Sequence, residues 1–138
     1  KLTKDDIEAQ TIFDDAIAMY PRIYDLLSPD GNMDGDGKLE GGGYKGHIYE
    51  PITDDRFYTI PYRSLLPVDI DNLIVSGRCI SADQLAESSI RGISACMLTG
   101  QAAGAAAGLS CRDGVSPKEI EVKELQKILK DQGVKLPE

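Results

Sequence analysis

"NLIVSGRCISADQLAESSIRGISACMLTGQAAGAAAGL", residues 72–109, decides the fold. Its opening, Asn72 to Gly77, is a short continuous apolar run, the pattern of a strand covered on both faces in a parallel sheet. A loop follows, and from Ser88 or Ser89 to about Arg112 the residues read as one long helix, with serine at the start and Gly114 past the end. Strand, loop and helix make half of a strand-helix-strand unit, so the fold class is α/β. In open α/β folds ligands lie beyond the carboxyl ends of such strands, which puts Gly77 and Arg78 at a candidate site.

The helix raises its own question, because Gly100, Gly104 and Gly108 recur every four residues along one face. Each costs about 1 kcal/mol against alanine. Close packing of that face against a strand or another helix is the expected compensation, since dispersion at short range outweighs propensity.

Arg91 falls in the first turn of the expected helix, where the positive end of the macrodipole disfavours a cation. Glu87, four residues earlier, offers one offset, a surface ion pair of small value. A bound anion is the other, met also by the free N–H groups of Ser89 and Ile90 at that end.

The chain has 138 residues, 41% hydrophobic and 28% charged, an ordinary composition for one domain. A net charge of −8 with scattered Lys and Arg disfavours nucleic acid and anionic membranes as partners. Its most apolar stretch, Ile93 to Leu109, is too short and too polar for a bilayer span, so no membrane helix is expected. The chain opens on Lys1 without a charged-then-apolar leader, which reads as a piece of a longer or processed chain. Cys79, Cys96 and Cys111 lack the short paired spacings of a zinc or redox site, so they read as free packing thiols, leaning toward a reducing, cytoplasmic compartment.

Near the start, Thr3 to Asp6 reads as a cap with an acidic first turn, and a helix over residues 4–10 should follow. "FDDAIAMYPRIYDLL" fits neither helix nor strand period, and Pro21 interrupts any helix from Asp14, leaving a turn and a short extended piece. Residues 28–46 hold seven of the fourteen glycines and few apolar side chains, an exposed loop. Within it Asp30, Asn32 and Asp34 with Gly35 match the opening of a calcium loop, yet Gly41 stands where the bidentate carboxylate belongs. A solvated acidic turn is the competing reading. The Gly41 to Gly46 run has the G-x-G-x-x-G form but follows an acidic loop rather than a strand, so it is set aside as a dinucleotide motif.

A strand is expected over residues 57–60, ended by Pro61. His47, Tyr58, Tyr62 and Arg63 could face a substrate. Arg63 could clamp a carboxylate, against a structural role beside the tyrosines. Ser116, Pro117 and Glu119 form a capping box opening the last helix, whose Leu125, Ile128, Leu129 and Gln132 line one face.

"YTIPYRSLLP", "NLIVSGRCISA", "SSIRGISACMLTGQAAGAAAGLS" and "GVSPKEIEVKELQKILKDQG", in that order, resemble the carboxy-terminal region of the FAD-dependent oxidoreductase family with a glutathione-reductase-type cofactor domain. The likeness is dense from Tyr58 to Gly133; the acidic glycine loop departs from it. The resemblance implies a Rossmann-like FAD domain ended by its last strand-helix unit at 67–138, with short accessory strands and terminal helices. Residues 1–66 would be the tail of a substrate or accessory domain. It implies FAD contacts from Gly77, Arg78, Ser89, Ile90 and Arg91 near flavin N1 and the C2 carbonyl, and partners in the rest of the flavoprotein chain and a small-molecule substrate. No catalytic residue is assigned, and the amino-terminal dinucleotide fingerprint is absent. The segment alone is therefore expected neither to hold FAD tightly nor to catalyse, and its unpaired strand edges favour a homo-oligomer. A calcium module and a helical interaction module are the competing classes.

Overall fold

The computed structural model describes residues 1–21 and 57–137. Calcium candidates Asp30, Asn32 and Asp34, the Gly41 to Gly46 run and His47 lie outside the described residues.

Helix α1, Lys4–Glu8, starts as its residues dictate: Thr3 caps it, and the Asp6 carboxylate returns the bond to the Thr3 amide at 2.9 Å. Strand β1, Ala16–Pro21, is a short extended piece within the stretch 13–27 where one was expected. Its first three residues, Ala16, Ile17 and Ala18, are all buried, which is why its apolar positions follow no period of two. It pairs antiparallel with β2, Phe57–Pro61, through an irregularity between Ala16 and Ala18. Pro61 ends β2, as the missing N–H of proline requires.

Next comes α2, Gln84–Ile90, capped by the Asp83 carboxylate. Helix α3, Ile93–Asp113, is followed by Gly114 at φ 67, the left-handed residue expected beyond its end. The last helix, α4, is Val122–Asp131, with Leu125 and Leu129 fully buried. One apolar cluster joins the elements: Ile7 of α1, Ile17 of β1, Tyr58 and Ile60 of β2, Ile90 of α2, Leu109 of α3 and Leu125 of α4.

Four sequence expectations are corrected. Residues 73–76 take no regular secondary structure and join no ladder, since among the described residues the sheet holds only β1 and β2; the Val75 amide donates to the Leu65 carbonyl at 2.9 Å. A parallel strand exists only beside a neighbour, and an apolar run alone cannot supply one. The expected helix from Ser88 is two helices, broken at Arg91 and Gly92, so Ser89 and Ile90 end α2 rather than open α3.

The glycine face is the third correction. Ala95, Thr99, Ala102, Ala106 and Leu109 face the core, whereas a Cβ on Gly100, Gly104 or Gly108 would meet nothing within 4 Å among the described residues. Fourth, Ser116 and Glu119 bond as a capping box does, with the Ser116 amide donating to Glu119 Oε2 at 3.0 Å, but they close a turn and α4 begins later at Val122. Buried Ile120 anchors that turn.

No helix among the described residues is long and apolar enough to cross a membrane.

Candidate functional site

The site is assembled around the break between α2 and α3. Gly77 opens a single 3-10 turn, Gly77–Cys79, at φ +64, a left-handed conformation that disfavours any side chain. Its amide donates to the Thr99 hydroxyl at 3.0 Å, and that hydroxyl donates in turn to the Ala95 carbonyl at 2.9 Å. The turn is thereby fastened to the second turn of α3.

Arg78, next along, is exposed, and its Nε donates to the Arg91 carbonyl oxygen at 3.0 Å. This bond places a guanidinium at the junction of the two helices. Its outer amino groups make no further bond among the described residues. Arg91 itself caps the carboxyl end of α2, with its amide donating to the Glu87 carbonyl at 3.0 Å. Arg91 therefore ends α2 and lies outside the first turn of α3, where the sequence placed it.

Gly92 is the residue before α3, with extended backbone and no side-chain cap. Helix geometry leaves the first N–H groups of α3 without intrahelical acceptors, and alignment of about twenty peptide dipoles adds a positive partial charge there. A guanidinium and an uncapped helix start, side by side, form a donor set for an anionic or electron-rich group. Such a set can bind, orient and polarise. Among the described residues no cluster of His, Cys, Asp and Glu could hold a metal ion.

Of the sequence-selected residues, Gly77, Arg78 and Arg91 are brought together. Ser89 and Ile90 lie behind them: the Ser89 hydroxyl bonds the Tyr58 hydroxyl at 2.9 Å, and Ile90 is packed in the core. Tyr62 is buried, its hydroxyl donating to the Pro117 carbonyl at 2.8 Å, and burial pushes its pKa up to about 12.

Arg63 already has a carboxylate. Its Nε donates to Asp15 Oδ2 at 2.9 Å, its backbone amide reaches the same oxygen at 3.0 Å, and its guanidinium lies 5.5 Å from the centre of the Phe13 ring. Burial pushes the Asp15 carboxyl up, but the hydrogen bonds and charge of Arg63 outweigh it and hold the group below its usual range.

Two residues escaped sequence reading. Tyr20 reaches from β1 to Ser94 of α3, and Thr99 receives the Gly77 amide. A threonine on the buried face of an alanine-rich helix was the available signal for the second, since a buried hydroxyl needs partners. Nothing local marks Tyr20.

A separate groove of about 470 Å³, lined by residues including Phe13, Ala16, Lys123, Gln126 and Leu136, shares no residue with this constellation.

No curated protein and no solved structure matches the chain. The sequence pattern of the FAD dependent oxidoreductase family matches it over residues 1–129. That span takes in both described stretches up to the last turn of α4 and every residue of the donor set. With its uncapped helix start and adjoining guanidinium inside the matched region, the chain belongs to the FAD dependent oxidoreductase family.

Proposed function

We propose that the chain is the carboxy-terminal part of a flavoprotein oxidoreductase, in which residues 67–138 close a Rossmann-like FAD domain of glutathione-reductase type and residues 1–66 end the substrate or accessory domain. One observation carries the reading: the Arg78 guanidinium, tied to the Arg91 carbonyl, stands beside the uncapped amino end of α3. These donors fit the electron-rich edge of a flavin and the anionic groups of its nucleotide tail. Bound FAD would supply the hydride-accepting chemistry.

The residues of this chain do the rest. Amide groups at the start of α3 polarise the flavin N1 and C2 carbonyl region, where negative charge gathers on reduction, and so favour the reduced state. Arg78 adds charge there or toward the ribityl and pyrophosphate oxygens. Gly77, left-handed at φ +64 and with its amide on the Thr99 hydroxyl, holds the turn that carries Arg78 against α3. Ser89 and Ile90 act from behind, through the buried end of α2. Arg63, held by Asp15, is assigned to the fold and not to a substrate. The substrate is a small molecule bound mainly by the rest of the flavoprotein, and the chain by itself neither holds FAD tightly nor catalyses.

The experiment is the flavin spectrum and flavin content of the full-length flavoprotein with Arg78→Ala and Arg91→Ala. Loss of flavin, or a displaced flavin absorbance band, is expected for Arg78→Ala. Wild-type content and spectrum in both variants would refute the site.

A further inference from the structure

We propose that Tyr20 is a positioning residue: its hydroxyl bond to Ser94 sets the direction in which the amino end of α3 points and thereby tunes the flavin held there.

This inference rests on the flavin reading above but on different residues. Tyr20 comes from β1 and is nearly buried. Its ring meets the Tyr58 ring edge-on, with centroids 6.2 Å apart and planes at 75°. The two tyrosine hydroxyls then part. Tyr58 bonds the Ser89 hydroxyl at 2.9 Å on the last turn of α2, and Tyr20 bonds the Ser94 hydroxyl at 3.0 Å on the first turn of α3. One edge-to-face pair thus grips the helix break from both sides.

Gly92 shows how closely Tyr20 approaches. A Cβ there would come within 3.1 Å of the Tyr20 hydroxyl oxygen, close enough that the tyrosine would have to give by a few tenths of an ångström. Gly92 supplies no side-chain cap, and the Tyr20 bond ties the first turn of α3 to β1. A helix end that pivots by a few degrees misaims its amide groups, and preorganised dipoles lose their effect when misaimed.

The test uses the flavin-loaded full-length protein with Tyr20→Phe, Ser94→Ala, the double variant and Ser94→Thr. Sulfite is the probe. Its sulfur lone pair forms a bond to flavin N5 and the displaced electron pair settles on N1 and the C2 carbonyl, so its affinity reports stabilisation of charge at that edge without catalysis. Tyr20→Phe and Ser94→Ala should each weaken sulfite binding about fivefold, within the range of couplings carried by packed contacts. Both should lower the flavin midpoint potential. The double variant should lose no more than either single one, and Ser94→Thr, which keeps the hydroxyl, should restore the wild-type value. Tyr20→Phe and Ser94→Ala with wild-type sulfite affinity and potential, or effects that add, would overturn the positioning role even if melting temperatures fall. A wild-type protein with no flavin absorbance would overturn the flavin reading, and this inference with it.

Discussion

The Asp83 carboxylate accepts the Lys4 amide across 2.9 Å, from a residue 79 positions earlier in the chain, while its other oxygen accepts the Ala86 amide at 2.8 Å. One side chain therefore caps α2 and fastens the start of the chain to it. The Leu2 amide, bonded to the Ser81 carbonyl at 2.9 Å, and the Asp83 amide, bonded to the Leu2 carbonyl at 3.0 Å, complete the junction. Burial pushes the Asp83 carboxyl up, but backbone N–H donors from Ala86, Lys4 and Leu85 outweigh it and hold the group below its usual range. Replacing it should loosen two elements at once. Asp83→Ala is expected to lower unfolding free energy by about 2 kcal/mol, the upper end for a lost helix cap, because a second amide also loses its acceptor. Urea denaturation checks the value, and faster amide exchange at both Lys4 and Ala86 checks the cause.

Asp15 and Arg63 make stability depend on acid. The folded carboxyl is held below its ordinary 3.8, so the contribution is complete above that value and is lost as pH falls through the lower folded value. Denaturation midpoints recorded from pH 5 down to pH 2 should fall more steeply in the wild type than in Asp15→Asn. Parallel curves for the two proteins would show that the pair contributes nothing to the acid limb.

Gly104 is exposed and has open space where its Cβ would be. Gly104→Ala should therefore raise the unfolding free energy of the chain by about 1 kcal/mol through helix propensity. A loss of stability instead would mean that another surface covers this face closely, as the spacing of the glycines led the sequence reading to expect. Thermal melts of the chain alone decide it.

The chain by itself should show no FAD binding tighter than micromolar in a fluorescence titration, because a donor set at one helix start cannot hold both the ring and the pyrophosphate. Tighter binding would contradict the proposed division of the cofactor site.

What the residues disclosed, and what they did not, follows the range of the physics. Caps, turns and proline stops are local, and Thr3, Pro61 and Gly114 were legible for that reason. The break at Gly92 was not, because Ser88 and Ser89 look like a helix start and the contacts that meet Gly92, Tyr20 among them, come from elsewhere in the chain. Residues 73–75 are apolar without being a strand, since pairing depends on a neighbour rather than on their own side chains. Arg78 was singled out by its place after an apolar run, yet its bond to the Arg91 carbonyl is a contact across thirteen residues that no spacing rule reports. Glycine spacing on α3 was read correctly as a face, but not which way that face turns.

The central claim is that the amino end of α3 and Arg78 stand against the flavin C2 carbonyl edge. Carbon-13 NMR of the full-length protein loaded with FAD labelled at C2 tests it most directly. Arg78→Ala should move the C2 resonance toward its position in free FAD, since a polarising donor has been removed while the helix stays. A C2 resonance identical in wild type and Arg78→Ala, both already at the free-FAD position, would contradict the account.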